Sequence, residues 1–119
     1  MRDLVWMGRS LEDVSDFPRD VKRAFGFALR EVQKGATPAG AKPLPQLGSG
    51  VYELRDRYSG DAFRAVYAVK LVRAVYVLHA FKKKSKSGIA IPRAGLNMIS
   101  QRLKRAKEID QEKDEGRER

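Results

Sequence analysis

Residues 74–81, AVYVLHAF, are apolar at every position except His79. A run of that length without helical spacing reads as a β-strand screened from water on both faces, so the chain must build a sheet with this strand inside it. The residues before it supply the neighbours. Tyr52 and Leu54 alternate with Val51, Glu53 and Arg55, Ser59-Gly60-Asp61 makes a turn, and Phe63, Ala65, Tyr67 and Val69 alternate with Arg64, Val66 and Ala68. A second hairpin around residues 70–72 returns the chain into 74–81. Three strands in this order form an antiparallel meander.

Residues 3–7 are short and apolar enough for a further, N-terminal strand. From Pro18, the positions Val21, Ala24, Phe25, Ala28, Leu29 and Val32 recur at three- and four-residue steps, which predicts an amphipathic helix to about Lys34, stopped by Gly35. Asp16 is its expected N-cap. Residues 35–50 hold three of the five prolines and four of the ten glycines and read as an irregular connector. Pro92 suits the first turn of a last helix, with Leu96, Ile99, Leu103 and Ala106 as an apolar stripe and Arg102, Lys104 and Arg105 off it. The predicted fold class is α+β: a small antiparallel-rich sheet, made of the three-strand C-terminal meander plus the N-terminal strand, with helices packed on one side and the other face free to bind. Residues 1–107 form the single domain, and residues 108–119, charged and almost without apolar side chains, are expected to fray.

Charge is distributed unevenly along this frame. Residues 55–105 hold thirteen Lys and Arg against Asp56 and Asp61, a local excess that accounts for the whole net charge of +10. Such a segment points to a polyanionic partner. A length of 119 residues suits one domain, the lack of cysteine removes disulfides and thiolate sites, and a single His leaves no His/Cys metal set. No apolar stretch approaches the roughly 20 residues that span a bilayer, so the expectation is a soluble cytoplasmic protein with no membrane partner. Gly48-Ser49-Gly50 lacks the further glycine and the Lys-Ser/Thr of the nucleotide-binding loops, so no cofactor is expected.

Arg55, Arg64, His79 and the run Lys82-Lys83-Lys84 stand on three successive strands or their ends. Neighbouring strands lie about 5 Å apart, and the parity of Arg55 and Arg64 is opposite to that of Tyr52, Leu54, Phe63 and Tyr67, so both arginines can share one face. The parity of His79 and Phe81 does not say which face is core. Guanidinium groups clamp phosphate oxygens in pairs and keep their charge near neutrality, and fixed cations stabilise the negative charge that a pentavalent phosphorus gains in the transition state. On RNA the 2′-hydroxyl can serve as nucleophile, and a lysine crowded by cations has a depressed pKa that suits it to proton transfer. Taken singly, KKKSK is more often a solvated loop, His79 a hydrogen-bonded sheet residue, and Tyr52, Tyr67, Tyr76 and Phe63 packing residues. Tyr58, beside Arg57 at a turn, is the ring best placed to meet a base.

The ordered set VYELRDRYSGDAFRAVYAV, AVYVLHAFKKKSKSGIAIP and QRLKRA resembles the phage-related HigB-like branch of the RelE/ParE toxin superfamily. The resemblance implies a RelE-like fold and the toxin of a type II toxin–antitoxin pair, an mRNA interferase that cuts translated messenger RNA on the ribosome as a metal-independent endoribonuclease. It implies catalytic roles for Arg64 (transition-state charge), Arg55 (phosphate orientation) and Lys83 or Lys84 (proton transfer to the leaving group), with His79 as a further candidate. The cationic segment adds a candidate RNA- and ribosome-binding set of Arg57, Tyr58, Lys82, Lys86, Arg93, Arg102, Lys104 and Arg105, and the resemblance implies a helix-turn-helix antitoxin as partner. Lys82 stands where the family usually has an apolar residue. A ParE-like inhibitor of DNA gyrase on the same fold, and a nucleic-acid-binding module without catalysis, are the competing functions.

Overall fold

The computed structural model describes residues 1–84 and 91–117, giving backbone only for residue 84 and residues 114–117. Among them the order is β1 (Asp3–Trp6), α1 (Ser10–Ser15), α2 (Arg19–Gln33), β2 (Lys42–Pro43), a 3-10 turn (Pro45–Leu47), β3 (Val51–Tyr58), β4 (Asp61–Ala68), β5 (Ala74–Lys84) and α3 (Arg93–Arg117). The class is α+β, as expected. The strands make one sheet in the order β1-β5-β4-β3-β2. The meander β3-β4-β5 is antiparallel, and β1 joins β5 in parallel, Asp3 opposite Ala74 and Trp6 opposite Val77. The apolar run thus lies inside the sheet, and every residue from Ala74 to Leu78 is sealed from water.

Helices cover both faces of this sheet, which corrects the expectation of helices on one side. On one face α1 and α2 bring Val14, Val21, Phe25, Leu29 and Val32 against Leu54, Phe63, Ala65, Tyr67, Val75 and Val77. On the other, Ile99, Leu103 and Ala106 of α3 cover Val51, Val66, Ala68, Tyr76 and Leu78. The reason is in β4 and β5 themselves: their side chains are apolar on both parities, and each Val, Leu or Tyr left in water would forgo about 1.5–3 kcal/mol of burial.

Three local expectations also change. Asp16 ends α1, and the residue capping α2 is Pro18, with no side-chain cap. The connector at 35–50 is partly ordered, because β2 adds an edge to β3, with Lys42 opposite Glu53 and Pro43 opposite Tyr52. Helix α3 continues past Lys107 to Arg117. One turn beyond Ala106, the buried Asp110 carboxylate accepts the N–H groups of Val72 and Arg73 at 2.6 and 2.8 Å and the Tyr76 hydroxyl at 3.0 Å. An acid in a charged tail reads as solvated unless the turn that it satisfies is known.

Candidate functional site

A β-bulge assembles the site. Between β4 and β5 the register slips by one residue: Tyr67 stands opposite Val77, but Val66 stands opposite His79, so Leu78 is the extra residue. Leu78 packs with the α3 cluster, and His79, paired to Val66 of that cluster, faces the same way. Uninterrupted alternation would have sent His79 to the α2 side with Val75 and Val77. After the slip, three rows cross the α3 side of the sheet: Glu53, Val66 and His79; Arg55, Arg64 and Phe81; Arg57, Ala62 and Lys83. Four of the expected cations, Arg55, Arg57, Arg64 and Lys83, are thereby brought onto one face with His79.

Glu53, not singled out by the sequence reading, lies at the centre of this face. It is 1% exposed, yet its carboxylate accepts the Arg55 Nε–H and sits 3.6 Å from an Arg64 Nη nitrogen. The sequence signal was present, since Glu53 shares the parity of Arg55 two residues away, but an isolated acid in a cationic segment reads as a charge balance and not as a brace. Arg55 keeps about a third of its side chain in solvent, whereas Arg64 keeps 3%. Burial lowers the Arg64 pKa, the Glu53 carboxylate opposes this, and the neighbouring Arg55 and Arg57 lower it further. A guanidinium begins so far above neutrality that it remains cationic.

His79 stacks on Phe81 at 5.0 Å between ring centroids. Its Nδ1 is buried without a hydrogen-bond partner among the described residues. Burial lowers its pKa, the Arg102 guanidinium adds to that effect, and Asp13 opposes it, so the ring is neutral near pH 7. Two clefts open beside these rows. One, of about 480 Å³, includes Lys42, Gln46, Glu53, Arg55 and Ile91; the other, of about 430 Å³, includes His79, Phe81, Ile91 and Met98. Ile91, just before α3, borders both. A larger opening of about 780 Å³ is also bordered by His79, but there Asp13, Asp16 and Asp61 outnumber the cation Lys82, which pairs with Asp61, so it suits a phosphate poorly.

The remaining expected residues are dispersed. Lys82 points to the α2 side, in the row of Phe63, with its ammonium 3.9 Å from Asp61. Arg57 and Tyr58 are exposed at the end of β3, and Arg93 is exposed at the start of α3. Lys104 and Arg105 lie exposed about 16 Å further along that helix. Arg105 approaches Glu108 at 3.6 Å and Glu112 at 3.7 Å. Arg102 serves the fold: it donates to the Leu78 carbonyl at 2.8 Å, at the bulge, and packs where Gly8 leaves room with φ +55°. The Lys84 side chain and Lys86 lie outside the described residues. Tyr52 and Tyr67 stack on each other within the sheet, as packing residues.

The profile of the family described as "Phage derived protein Gp49-like" matches residues 12–104. The fold is that of the Escherichia coli toxin RelE. A RelE mutant with two arginines replaced, in the free state, superposes with a TM-score of 0.55 at 20% identity over 87% of this chain and 96% of that one. The isolated E. coli RelE toxin gives 0.51 at 18% identity over 85% and 98%. No match is found among the curated proteins.

Proposed function

The chain belongs to the phage-derived Gp49-like family, and from that membership, the RelE-like fold and the cationic face we propose that it is the toxin of a type II toxin–antitoxin pair, an endoribonuclease acting on translated messenger RNA. The observation that supports this most is the row formed by Arg55 and Arg64, held by a buried Glu53 and bordered by Lys83 in the next row. In the reaction the 2′-hydroxyl oxygen attacks the adjacent phosphorus, the bond to the 5′-oxygen breaks, and the products are a 2′,3′-cyclic phosphate and a 5′-hydroxyl. Arg55, the more exposed arginine, meets the phosphate. Arg64 adds positive charge from beneath, where low dielectric strengthens it. His79, neutral near pH 7, is suited to take the 2′-proton, and Lys83 or Lys84 to give one to the leaving oxygen.

A helix-turn-helix antitoxin and the ribosome are the proposed partners, and the cytoplasm the proposed site of action; among the described residues no helix is long and apolar enough to cross a membrane. The test is primer extension on a reporter mRNA with purified protein, with and without ribosomes, alongside Arg55→Ala. Cuts that require ribosomes and vanish in the variant are expected. Intact mRNA from a protein that still poisons cells would overturn this reading and turn attention to gyrase.

A further inference from the structure

Helix α2 presents a second cationic surface on the side of the molecule away from the Arg55 row. Its buried residues Val21, Phe25, Leu29 and Val32 face the sheet. The opposite side has Arg19, Arg23, Phe27, Arg30 and Lys34, at steps of four, four, three and four, which place them along one exposed stripe. Phe27 lies in the middle, 71% exposed, between Arg23 and Arg30. Among the described residues none of the three arginines forms an ion pair, whereas Lys34 is 3.4 Å from Glu31. Asp20 and Glu31 lie on the other flank of Phe27. Residues 1–54 hold eight bases and seven acids, so charge balance along the sequence conceals this stripe.

A single exposed ring is ordinary on a protein surface; what marks this face is the ring set between Arg23 and Arg30 on a line of cations. We propose that this face binds single-stranded RNA, with phosphates on Arg19, Arg23 and Arg30 and an unstacked base on Phe27. Arg19 to Arg30 spans about 16 Å of helix, the reach of a few nucleotides. Aromatic stacking beside a track of cations is the usual arrangement for unpaired strands. An acidic protein would also meet the arginines, but a stable protein interface needs about 800 Å² per partner around an apolar centre, and here the apolar part is one ring on a convex helix. Because the sheet separates this stripe from the Arg55 row, the two surfaces hold different RNA segments.

The experiment is fluorescence anisotropy of a labelled ten-nucleotide oligouridylate against the full chain across a potassium chloride series, with Arg55→Ala as the common background to reduce binding at the other face. Adding Arg19→Gln, Arg23→Gln and Arg30→Gln together is expected to weaken binding at least tenfold and to lower the salt slope by about 2, from roughly 0.7 per phosphate contact. Phe27→Ala is expected to weaken it about fivefold or more with the slope unchanged. Circular dichroism melts confirm that each variant is folded. Binding unchanged in both variants overturns the proposal, and so does loss of polyglutamate binding with oligouridylate binding intact, the signature of an acidic protein partner. The ribosome cleavage assay reports on the other face, so a failure there is distinguishable from a failure here.

Discussion

Glu53 and Arg64 meet 3.6 Å apart with side-chain exposures of only 1% and 3%, across neighbouring strands of the sheet. A charge pair sealed to this degree tolerates loss of its acid poorly, since the buried Arg64 guanidinium is then left without that carboxylate. The same carboxylate also receives Arg55, so one acid sets the direction of two guanidinium groups.

Glu53→Gln keeps the shape and removes the charge. It should cost about 3 kcal/mol of stability in denaturant unfolding, the low end of what breaking a buried pair costs, and should lower cleavage more than tenfold even where the protein is fully folded. A variant as stable and as active as the parent would show that the brace is dispensable.

Arg55→Ala and Arg64→Ala should part company. Arg55 is partly in solvent, so its loss should reduce cleavage by about two orders of magnitude, and because it also removes a hydrogen bond to the buried Glu53 the melting temperature should fall, but by less than in Arg64→Ala. Arg64→Ala leaves Glu53 with Arg55 as its remaining cation and empties the space of a side chain only 3% exposed, so it should lower stability further as well as activity. Equal melting temperatures for the two variants would contradict the burial difference between them.

His79 makes stability pH-dependent with a definite sign. Its folded pKa lies below the ordinary 6.5 because of burial, so in acid the unfolded chain binds a proton that the folded chain resists. The stabilising contribution is present above about pH 6.5 and is lost as pH falls below it. Denaturant midpoints at pH 5 and pH 7.5 should differ, and His79→Asn should narrow that difference. The same midpoint difference in parent and variant would assign the dependence to other groups.

The C-terminal helix should divide at Asp110. Removing residues 111–119 should shift the melting temperature little, whereas Asp110→Ala, which leaves the Val72 and Arg73 N–H groups without their acceptor, should cost about 2–4 kcal/mol. A large loss from the truncation would mean that the last turns also dock.

Much of this arrangement was legible from residue order. The near-continuous apolarity of 74–81 specified an interior strand because only a strand flanked and covered can hide both parities. The meander followed from alternation and turns, and α2 from its 3.6-residue period. The common face of Arg55 and Arg64 followed from parity alone, since alternation is a local property of an extended backbone. Tertiary structure decided what depends on contacts between distant segments. The slip at Leu78 puts His79 on the same face as Arg64, and nothing in AVYVLHAF marks where the register shifts, because the bulge is set by how β5 fits β4. The position of α3 over the second face arises from apolar surface on β4 and β5 summed across strands. Glu53 and Asp110 read as ordinary surface acids until the guanidinium groups and the turn that they satisfy are brought to them, for the cost of a buried charge is determined by its neighbours in space and not by its neighbours in the chain.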